Sequence, residues 1–239
     1  DFGVYRARLE SLNILQSHIR HVPQSFTAQA FITTDLDDNQ ITAFHPGAMS
    51  QSQLNRVDDA QKVSLGIIAP DGRDGMLQHA QQFRDAHIPF IFDPGQGLPM
   101  FNGDELLQFV ELADYVTVND YEAEMLQERT KLSLEQLAAK VQALVVTRGG
   151  EGSQIFAGGK LIEIPCVKAE QIVDPTGCGD AYRAGLLYGI QNGLGWLQTG
   201  RLASLLGSVK IASRGGQNHH IYRDLIADKY QQAFGERIW

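Results

Sequence analysis

The sequence predicts an α/β protein with a mainly parallel central sheet. Short apolar runs rich in β-branched residues occupy 63–70, 88–94, 114–120 and 143–150. Consecutive apolar positions are typical of strands that are buried on both faces. Helix-like stretches separate these runs, and repeated strand–helix–strand units imply parallel pairing through right-handed crossovers. We therefore expect a three-layer α/β/α fold with its ligand beyond the carboxyl ends of the strands.

Two segments have the alternating pattern of β-hairpins. Residues 28–47 alternate about Asp37-Asp38-Asn39, and residues 153–165 alternate about Gly158-Gly159. The first hairpin is predicted to be either an ordinary edge of the sheet or a small β lid over a site.

The last part of the chain is predicted to be helical over 177–192, 195–213 and 222–234. An apolar stripe on the second of these helices indicates packing against a core rather than a cofactor site. The stripe consists of Leu202, Leu205, Leu206 and Val209. Because no internal repeat or linker interrupts the pattern, we expect a single domain over 1–239.

Composition excludes several classes of partner. With 20 basic and 28 acidic residues the net charge is −8, and no run of Lys or Arg could follow a phosphate backbone, so no nucleic-acid partner is expected. No apolar stretch approaches the ~20 residues that span a bilayer, which predicts a cytoplasmic protein without a membrane partner. The two cysteines, Cys166 and Cys178, form neither a disulfide framework nor a zinc motif.

The stretch "VDPTGCGDAYRAG" (173–185) places the small residues Gly177, Cys178 and Gly179 before a predicted helix. A helix start exposes unpaired N–H groups and a positive dipole end, and glycines let an anion approach them. This turn is therefore predicted to hold an oxyanion. It is neither a Walker loop nor a dinucleotide-binding fingerprint.

Asp180 follows this turn directly. A carboxylate beside a bound phosphate is repelled, but as a base that accepts a hydroxyl proton during phosphoryl transfer it has a function. The alternative is a glycine-rich turn that caps a helix, with Asp180 complementing the dipole. The spacing alone favours neither interpretation.

Four segments in order resemble the motifs of one family. The segment "DPTGCGDAYRAG" resembles the C-terminal signature of the ribokinase-like (phosphofructokinase-B type) family of sugar and nucleoside kinases. "NDYE" (119–122), "VTRGGEG" (146–152) and "ASRGGQ" (212–217) resemble further motifs of that family. The first hairpin is most similar to the bacterial adenosine kinase-like branch. The resemblance extends from about residue 28 to the end of the chain.

The resemblance implies that Asp180 is the catalytic base and that residues 177–179 form the anion hole. It further implies that Asn119 and Glu122 organise Mg²⁺ and the phosphates, largely through water. Their spacing makes independent sense, because an amide and a carboxylate three residues apart at a strand-to-helix turn can share a hydrated cation. A simple helix cap with a solvent-facing acid is the alternative.

The remaining carried-over residues concern the nucleotide. The resemblance implies that Thr147, Gly149 and Gly152 lie along ATP, and that Gly216 belongs to a loop near the adenine. It also implies that Asp174, with the backbone of 212–217, borders a monovalent-cation site for K⁺.

The function implied is an ATP- and Mg²⁺-dependent kinase for the primary hydroxyl of a ribose-containing substrate, first of all adenosine to AMP in purine salvage. A ribose or fructose kinase, and a non-catalytic nucleotide-binding protein on the same fold, are the alternatives. The hairpin 28–47 would close over the acceptor. A monomer and a homodimer are both compatible with the sequence.

Three departures carry expectations of their own. The opening strands and the Gly-Gly-x-x-x-Asn segment of the family are not found, so we expect an acceptor site incomplete at the N-terminus and weak catalysis by this form. Cys178 stands where the family more usually has alanine. Either its thiol pKa is lowered at the helix start, which predicts oxidant-sensitive activity protected by bound nucleotide, or Cys178 is an inert small residue. His219 and His220 are expected to be surface residues.

Overall fold

The computed structural model describes residues 1–34 and 40–239, and its centre is a six-stranded mixed sheet with the order β3-β4-β5-β6-β7-β8. The strands are β1 Gln29–Thr34, β2 Gln40–His45, β3 Gly66–Ile68, β4 Phe90–Phe92, β5 Tyr115–Asn119, β6 Ala143–Thr147, β7 Ser153–Ala157 and β8 Lys160–Ile164. The helices are α1 Gly3–Ser11, α2 Arg73–Asp85, α3 Gly103–Leu112, α4 Asp120–Thr130, α5 Leu134–Ala138, α6 Cys178–Gln191, α7 Trp196–Ile211 and α8 Arg223–Phe234.

The four strands predicted from apolar runs, β3 to β6, pair in parallel. Strands β7 and β8 add an antiparallel hairpin at the end of the sheet, turning at Gly158 and Gly159, both with positive φ. The predicted mainly parallel sheet and second hairpin are confirmed. Parallel strands end at a common edge, and this edge carries the candidate site.

Helices cover both faces of the sheet, as the three-layer prediction requires. On one face the sheet packs with α2, α3 and α4, where the rings of Phe92 and Phe109 stack 4.4 Å apart. On the other face it packs with α6 and α7. The hydroxyls of Tyr182 and Ser153 lie 2.6 Å apart in the interior and fix α6 on β7. The start of α6 is thereby held at one position relative to the strand ends.

Helices α6 and α7 lie unusually close to each other. A Cβ on Gly185 would be 2.5 Å from the Cα of Ala203, so only glycine allows this approach. The apolar stripe predicted on the second helix is largely buried against α6 and α8, because Leu202, Leu205 and Leu206 are at most 7% exposed. The stripe is core, as predicted.

The hairpin predicted at 28–47 is present as β1 and β2, which pair with each other in an antiparallel register. They form a separate two-stranded sheet. The interpretation of this hairpin as an ordinary edge of the central sheet is therefore wrong. Its predicted turn, Asp37-Asp38-Asn39, lies outside the described residues.

Helix α1 was not predicted from the sequence. Helix α1 lacks an apolar stripe, and Leu9 is its buried residue. It is joined to a distant loop, because the Arg8 guanidinium donates to the Gln217 carbonyl and the Gln217 amide donates to the Tyr5 hydroxyl. None of the helices in 1–34 and 40–239 combines the length and apolar character needed to span a bilayer.

Candidate active site

Polar side chains follow three neighbouring parallel strands at the same edge of the sheet. Asp93 comes directly after β4, Asn119 ends β5 and Thr147 ends β6. Asn119 and Thr147 are direct partners in the parallel register. The Thr147 hydroxyl lies 3.4 Å from the Val118 carbonyl, on the neighbouring strand. Two of the predicted site residues, Asn119 and Thr147, are thus brought together by strand pairing alone.

Helix α6 begins at this edge. Gly177 precedes it with φ +82°, a conformation that favours glycine, and the helix starts at Cys178. The Cys178 N–H donates to the Pro175 carbonyl at 3.1 Å. The next N–H groups, of Gly179 and Asp180, belong to the first turn and have no acceptor within a regular helix. The Gly179 N–H, within the predicted anion hole, and the Asp180 N–H, directly after it, are therefore placed to donate to an oxyanion.

The loop 212–217 lies against this turn. A Cβ on Gly177 would be 3.0 Å from the carbonyl oxygen of Gly216. The Asp174 carboxylate accepts hydrogen bonds from the N–H groups of Thr176 at 2.9 Å and Gly215 at 2.7 Å. These bonds, with the Thr176 hydroxyl, lower the pKa of Asp174 to about 2. The ionised Asp174 carboxylate therefore connects the loop 212–217 to the turn before α6.

Arg183 is a site residue that sequence reasoning missed. Its guanidinium forms a bidentate ion pair with Asp93, with Nε–Oδ2 2.5 Å and Nη2–Oδ1 2.7 Å. The side chains are 13% and 7% exposed. A signal existed, since Arg183 follows Asp180 by three residues, which puts the two on one face of a helix. The sequence marks Asp93 only as a carboxylate at the end of an apolar run, and its pairing with a residue 90 positions away was not predictable.

Arg183 also links the separately predicted halves of the site. The carboxylates of Asp93, Glu122 and Asp180 all lie near enough to act electrostatically on its guanidinium. A Cβ on Gly179 would be 2.7 Å from Nη1 of Arg183. The predicted base and the predicted magnesium residue Glu122 are therefore neighbours, gathered around one buried cation.

Asn119 and Glu122 form a reciprocal capping box at the start of α4. The Asn119 side chain accepts from the Glu122 N–H at 2.7 Å, and the Glu122 carboxylate accepts from the Asn119 N–H at 2.8 Å. Glu122 is 9% exposed, and burial raises its pKa although the Asn119 N–H bond opposes the shift. The pair is a cap, but its acid is not solvent-facing, so that part of the alternative is wrong.

The two glycines predicted to lie along ATP are required for different structural reasons. Gly152 has φ +89°, and a Cβ there would be 2.1 Å from the Ile164 carbonyl, so close packing on β8 requires glycine. Gly149 has φ +51° but faces open space. The requirement at Gly149 is therefore one of backbone conformation, and its surroundings leave room for a ligand.

The expectation of a lowered thiol pKa at Cys178 is wrong. Burial raises this pKa, and the nearby carboxylates of Asp174 and Asp180 raise it further, against an opposing effect of Lys210. The sulfur is half-buried, and the loss of water around it disfavours the thiolate.

A cleft of about 640 Å³ lies beside the loop 212–217. Its walls are formed by the segment 165–171, the end of α7, α8, and the four residues Ala212, Ser213, His219 and His220. His219 lines it and is half-buried, and burial lowers its pKa. Both histidines line this surface cleft, His219 half-buried and His220 exposed, so neither belongs to the core.

No group of three or more His, Cys, Asp or Glu side chains in the described part of the chain is arranged to hold a metal ion. Asn119 and Glu122 each use one side-chain oxygen as the acceptor of a capping-box hydrogen bond. Any divalent cation at this edge would therefore need water or nucleotide oxygens in its shell.

A mainly parallel sheet with carboxylates at its strand ends, facing the glycine-rich start of α6, is the arrangement expected of the sugar and nucleoside kinases that the sequence motifs resemble. A family model confirms this class. The model of the pfkB family carbohydrate kinases matches residues 3–221, and the chain belongs to that family.

Solved structures agree with the family. The nucleoside kinase of Burkholderia thailandensis, in complex with inosine, is 49% identical and superposes with a TM-score of 0.96 over 99% of this chain and 78% of that chain. The same kinase in complex with ADP-inosine gives a TM-score of 0.95 over 99% of this chain and 74% of that chain. The ribokinase-like fold predicted from the motifs is thereby confirmed.

Curated relatives include both substrate classes. The nucleoside kinase of Methanocaldococcus jannaschii is 31% identical over 229 residues, which are 95% of this chain and 75% of that protein. A ribokinase of Lactococcus lactis is 30% identical over 212 residues, 85% of this chain and 67% of that protein. These relatives support a sugar or nucleoside kinase, and the family together with the ADP-inosine complex supports the use of ATP.

Proposed function

We propose that the chain transfers the γ-phosphoryl group of ATP to the primary ribose hydroxyl of a nucleoside, and that adenosine, giving AMP, is one acceptor. One observation carries the proposal: the exposed carboxylate of Asp180 stands on the anion-binding start of α6, beside the buried cation Arg183. A carboxylate there has access to an acceptor hydroxyl while the amides beside it attract the phosphoryl group.

The proposed role of Asp180 is that of general base. Its carboxylate takes the proton of the attacking hydroxyl as the bond to phosphorus forms. The N–H groups of Gly179 and Asp180, with the α6 dipole, stabilise negative charge on the transferred group. The ion pair with Asp93 keeps the Arg183 guanidinium in one position. Its positive charge therefore acts on the carboxylates of Asp180 and Glu122 from a constant direction. Arg183 is thus proposed as a positioning residue.

The 640 Å³ cleft is the proposed site of the nucleotide base. It adjoins the loop of Gly216, which contacts the anion-binding turn at Gly177. Phosphates bound at the turn would place the rest of ATP towards this loop. Thr147, Gly149 and Gly152 remain proposed contacts along the phosphate side, at the end of β6.

The charges at the strand ends suit hydrated Mg²⁺. Three carboxylates, of Asp93, Glu122 and Asp180, surround one guanidinium, which leaves an excess of negative charge. Glu122 and Asn119 would hold the ion mainly through water. When bound, Mg²⁺ neutralises charge on the β- and γ-phosphates. Asp174, which the resemblance links to a monovalent cation and not to Mg²⁺, already accepts two backbone N–H groups with its carboxylate.

The ribbon β1–β2 is the proposed lid of a single ribokinase-like domain. It forms its own sheet outside the central one, which suits an element that moves over an acceptor. Closure would exclude water and limit hydrolysis of ATP. We propose a cytoplasmic enzyme, active as a monomer or homodimer.

Release of ADP tests the proposal, with ATP, Mg²⁺ and adenosine, inosine, ribose or fructose in turn, after an intact-mass measurement on the same sample. We expect release with the nucleosides. Asp180→Asn should lower kcat by about 10²–10⁴-fold and keep ATP binding. Asp104→Asn is the matched control, because Asp104 is also exposed in a first helical turn, that of α3.

Two other outcomes separate the alternatives. Release with ribose or fructose alone would favour a sugar kinase, which the ribokinase relatives make the second candidate. No release with any acceptor, together with unchanged ATP binding in Asp180→Asn, would contradict catalysis and favour a nucleotide-binding protein.

A further inference from the structure

Lys210 is a fully buried lysine beside the candidate active site. It lies in the last turn of α7, and its side chain is 0% exposed. Its Nζ donates to the backbone carbonyl of Asp174 at 2.9 Å and to that of Ser213 at 3.0 Å. A lysine among apolar residues is rare unless its charge has partners. The full burial of Lys210 therefore requires groups that stabilise its charge.

The surroundings stabilise a positive charge at this point. The carbonyl end of α7 carries the negative end of the helix dipole, which favours cations. The ionised carboxylate of Asp174 lies within electrostatic reach of the ammonium. Two carbonyls, a helix end and a carboxylate together compensate the loss of water around Nζ.

The ammonium joins the two segments that shape the anion-binding turn. The first segment docks on the end of α7 through the N–H groups of Val173 and Asp174, which both donate to the Ile211 carbonyl. The second is the loop that contains Ser213 and Gly216. Lys210 bonds to a carbonyl in each segment, and its charge lies within electrostatic reach of Cys178, the first residue of α6.

The same two segments are those from which sequence resemblance implies a monovalent-cation site. A carbonyl-lined site holds K⁺ because the oxygens replace its water. Here the carbonyls of Asp174 and Ser213 already bind an ammonium, which is similar in size and equal in charge. A dissociable K⁺ does not fit beside it, since two like charges would share these oxygens.

We infer that Lys210 is a tethered cation that takes the place of a dissociable monovalent ion, so that the fold and nucleotide binding of this chain are independent of K⁺. The nucleotide part of the inference rests on the proposed function. The part that concerns the fold does not.

The experiment compares KCl with tetramethylammonium chloride at equal ionic strength, since tetramethylammonium is too large for a carbonyl-lined site. Thermal unfolding and calorimetric binding of ADP with Mg²⁺ are measured for the natural chain. We expect the same Tm in both salts and an ADP affinity that changes less than about twofold. A several-fold higher affinity or a clearly higher Tm in K⁺ would overturn the inference.

Two variants distinguish a cation from a mere packing residue. Lys210→Ala leaves space at the carbonyls, and Lys210→Met fills the space without a charge. In tetramethylammonium both should bind ADP about tenfold more weakly. Potassium should restore Lys210→Ala towards the natural affinity and leave Lys210→Met unchanged. Lys160→Ala, at an exposed lysine of β8, is the control and should behave as the natural chain.

Three further results would also test the inference about Lys210. A folded Lys210→Ala that responds to no monovalent ion, or that binds ADP normally without one, contradicts the inference. If Lys210→Ala does not fold in tetramethylammonium, recovery of folded protein in K⁺ is expected, and failure to recover counts against it. Absence of ADP binding by the natural chain in both salts would contradict the proposed function, while its Tm values still test the role of Lys210.

Discussion

The guanidinium of Arg183 and the carboxylate of Asp93 form a bidentate, almost fully buried ion pair between α6 and the end of β4. The pair fixes the helix that carries Asp180 to the strand edge that carries Asn119. Because the guanidinium and the carboxylate are planar and share two hydrogen bonds, their relative orientation is fixed more tightly than a single hydrogen bond would fix it.

Breaking this pair should be strongly destabilising. Arg183→Met leaves the Asp93 carboxylate buried without a partner, so the free energy of unfolding should fall by about 3–5 kcal/mol. Urea denaturation measures it. Arg237→Met is the control, because its contact with Asp228 is 3.7 Å long and both side chains are more than 60% exposed. A control loss below about 0.5 kcal/mol is expected. An equally small loss for Arg183→Met would contradict the structural role assigned to the pair.

Glu122 can be separated from its capping function. Glu122→Gln retains a side-chain acceptor for the Asn119 N–H, so stability should change by about 1 kcal/mol or less. Loss of the charge should lower kcat by about 10–100-fold if Glu122 orders a hydrated cation. Glu105 occupies the same place in the capping box of α3, with Asn102. Glu105→Gln should leave turnover unchanged. Equal kinetic effects of the two changes would argue against a catalytic-site role for Glu122.

Gly177 combines a positive φ with a close neighbour. Gly177→Ala should cost about 1–2 kcal/mol for the left-handed backbone. It should also push the loop at Gly216, because the new Cβ would be 3.0 Å from that carbonyl oxygen. ADP binding should therefore weaken. Gly193→Ala shares the positive φ, at +65°, but has open space around it. It should show the stability loss without the binding loss, as urea denaturation and calorimetry would report.

Cys178 should react slowly with alkylating agents. Burial raises its thiol pKa, so at neutral pH a smaller fraction is thiolate than in an ordinary cysteine, and the thiolate is the nucleophile. Cys166 is exposed and serves as the internal reference. Iodoacetamide labelling followed by peptide mass spectrometry should find Cys166 modified first. Preferential labelling of Cys178 would show that the helix dipole outweighs burial after all.

The lowered pKa of Asp174 predicts that part of the free energy of unfolding is lost at acidic pH. Its folded pKa of about 2 is below the ordinary value of 3.8, so its contribution is complete above that value and is lost as the pH falls towards 2. The difference in unfolding free energy between the natural chain and Asp174→Asn should therefore be constant near neutral pH and shrink below about pH 4. Asp224→Asn, at an exposed first-turn residue of α8, controls for loss of a surface charge. A difference that grows on acidification would contradict this assignment.

Motif spacing alone did not identify the site residues uniquely. An Asn-x-x-Glu pattern occurs at 102–105 as well as at 119–122, and both copies form reciprocal capping boxes. Glu105 pairs with Arg73, whereas Glu122 is buried near Arg183. The local pattern specifies a helix start in both places. Only the position of the second copy, at the end of a central parallel strand, makes it part of the candidate site.

The sequence by itself determined the parallel strands, the two hairpins, the glycine-rich turn before α6 and the family, because these depend on local patterns of apolar residues and glycines. Tertiary structure alone decided the pairing of Arg183 with Asp93, the two carbonyl partners of Lys210 and the direction of the Cys178 pKa. Each of these depends on how much water is removed from a charge and on which distant groups replace it. Burial and long-range partners are set by the packing of whole helices on the sheet, and a linear pattern does not record them.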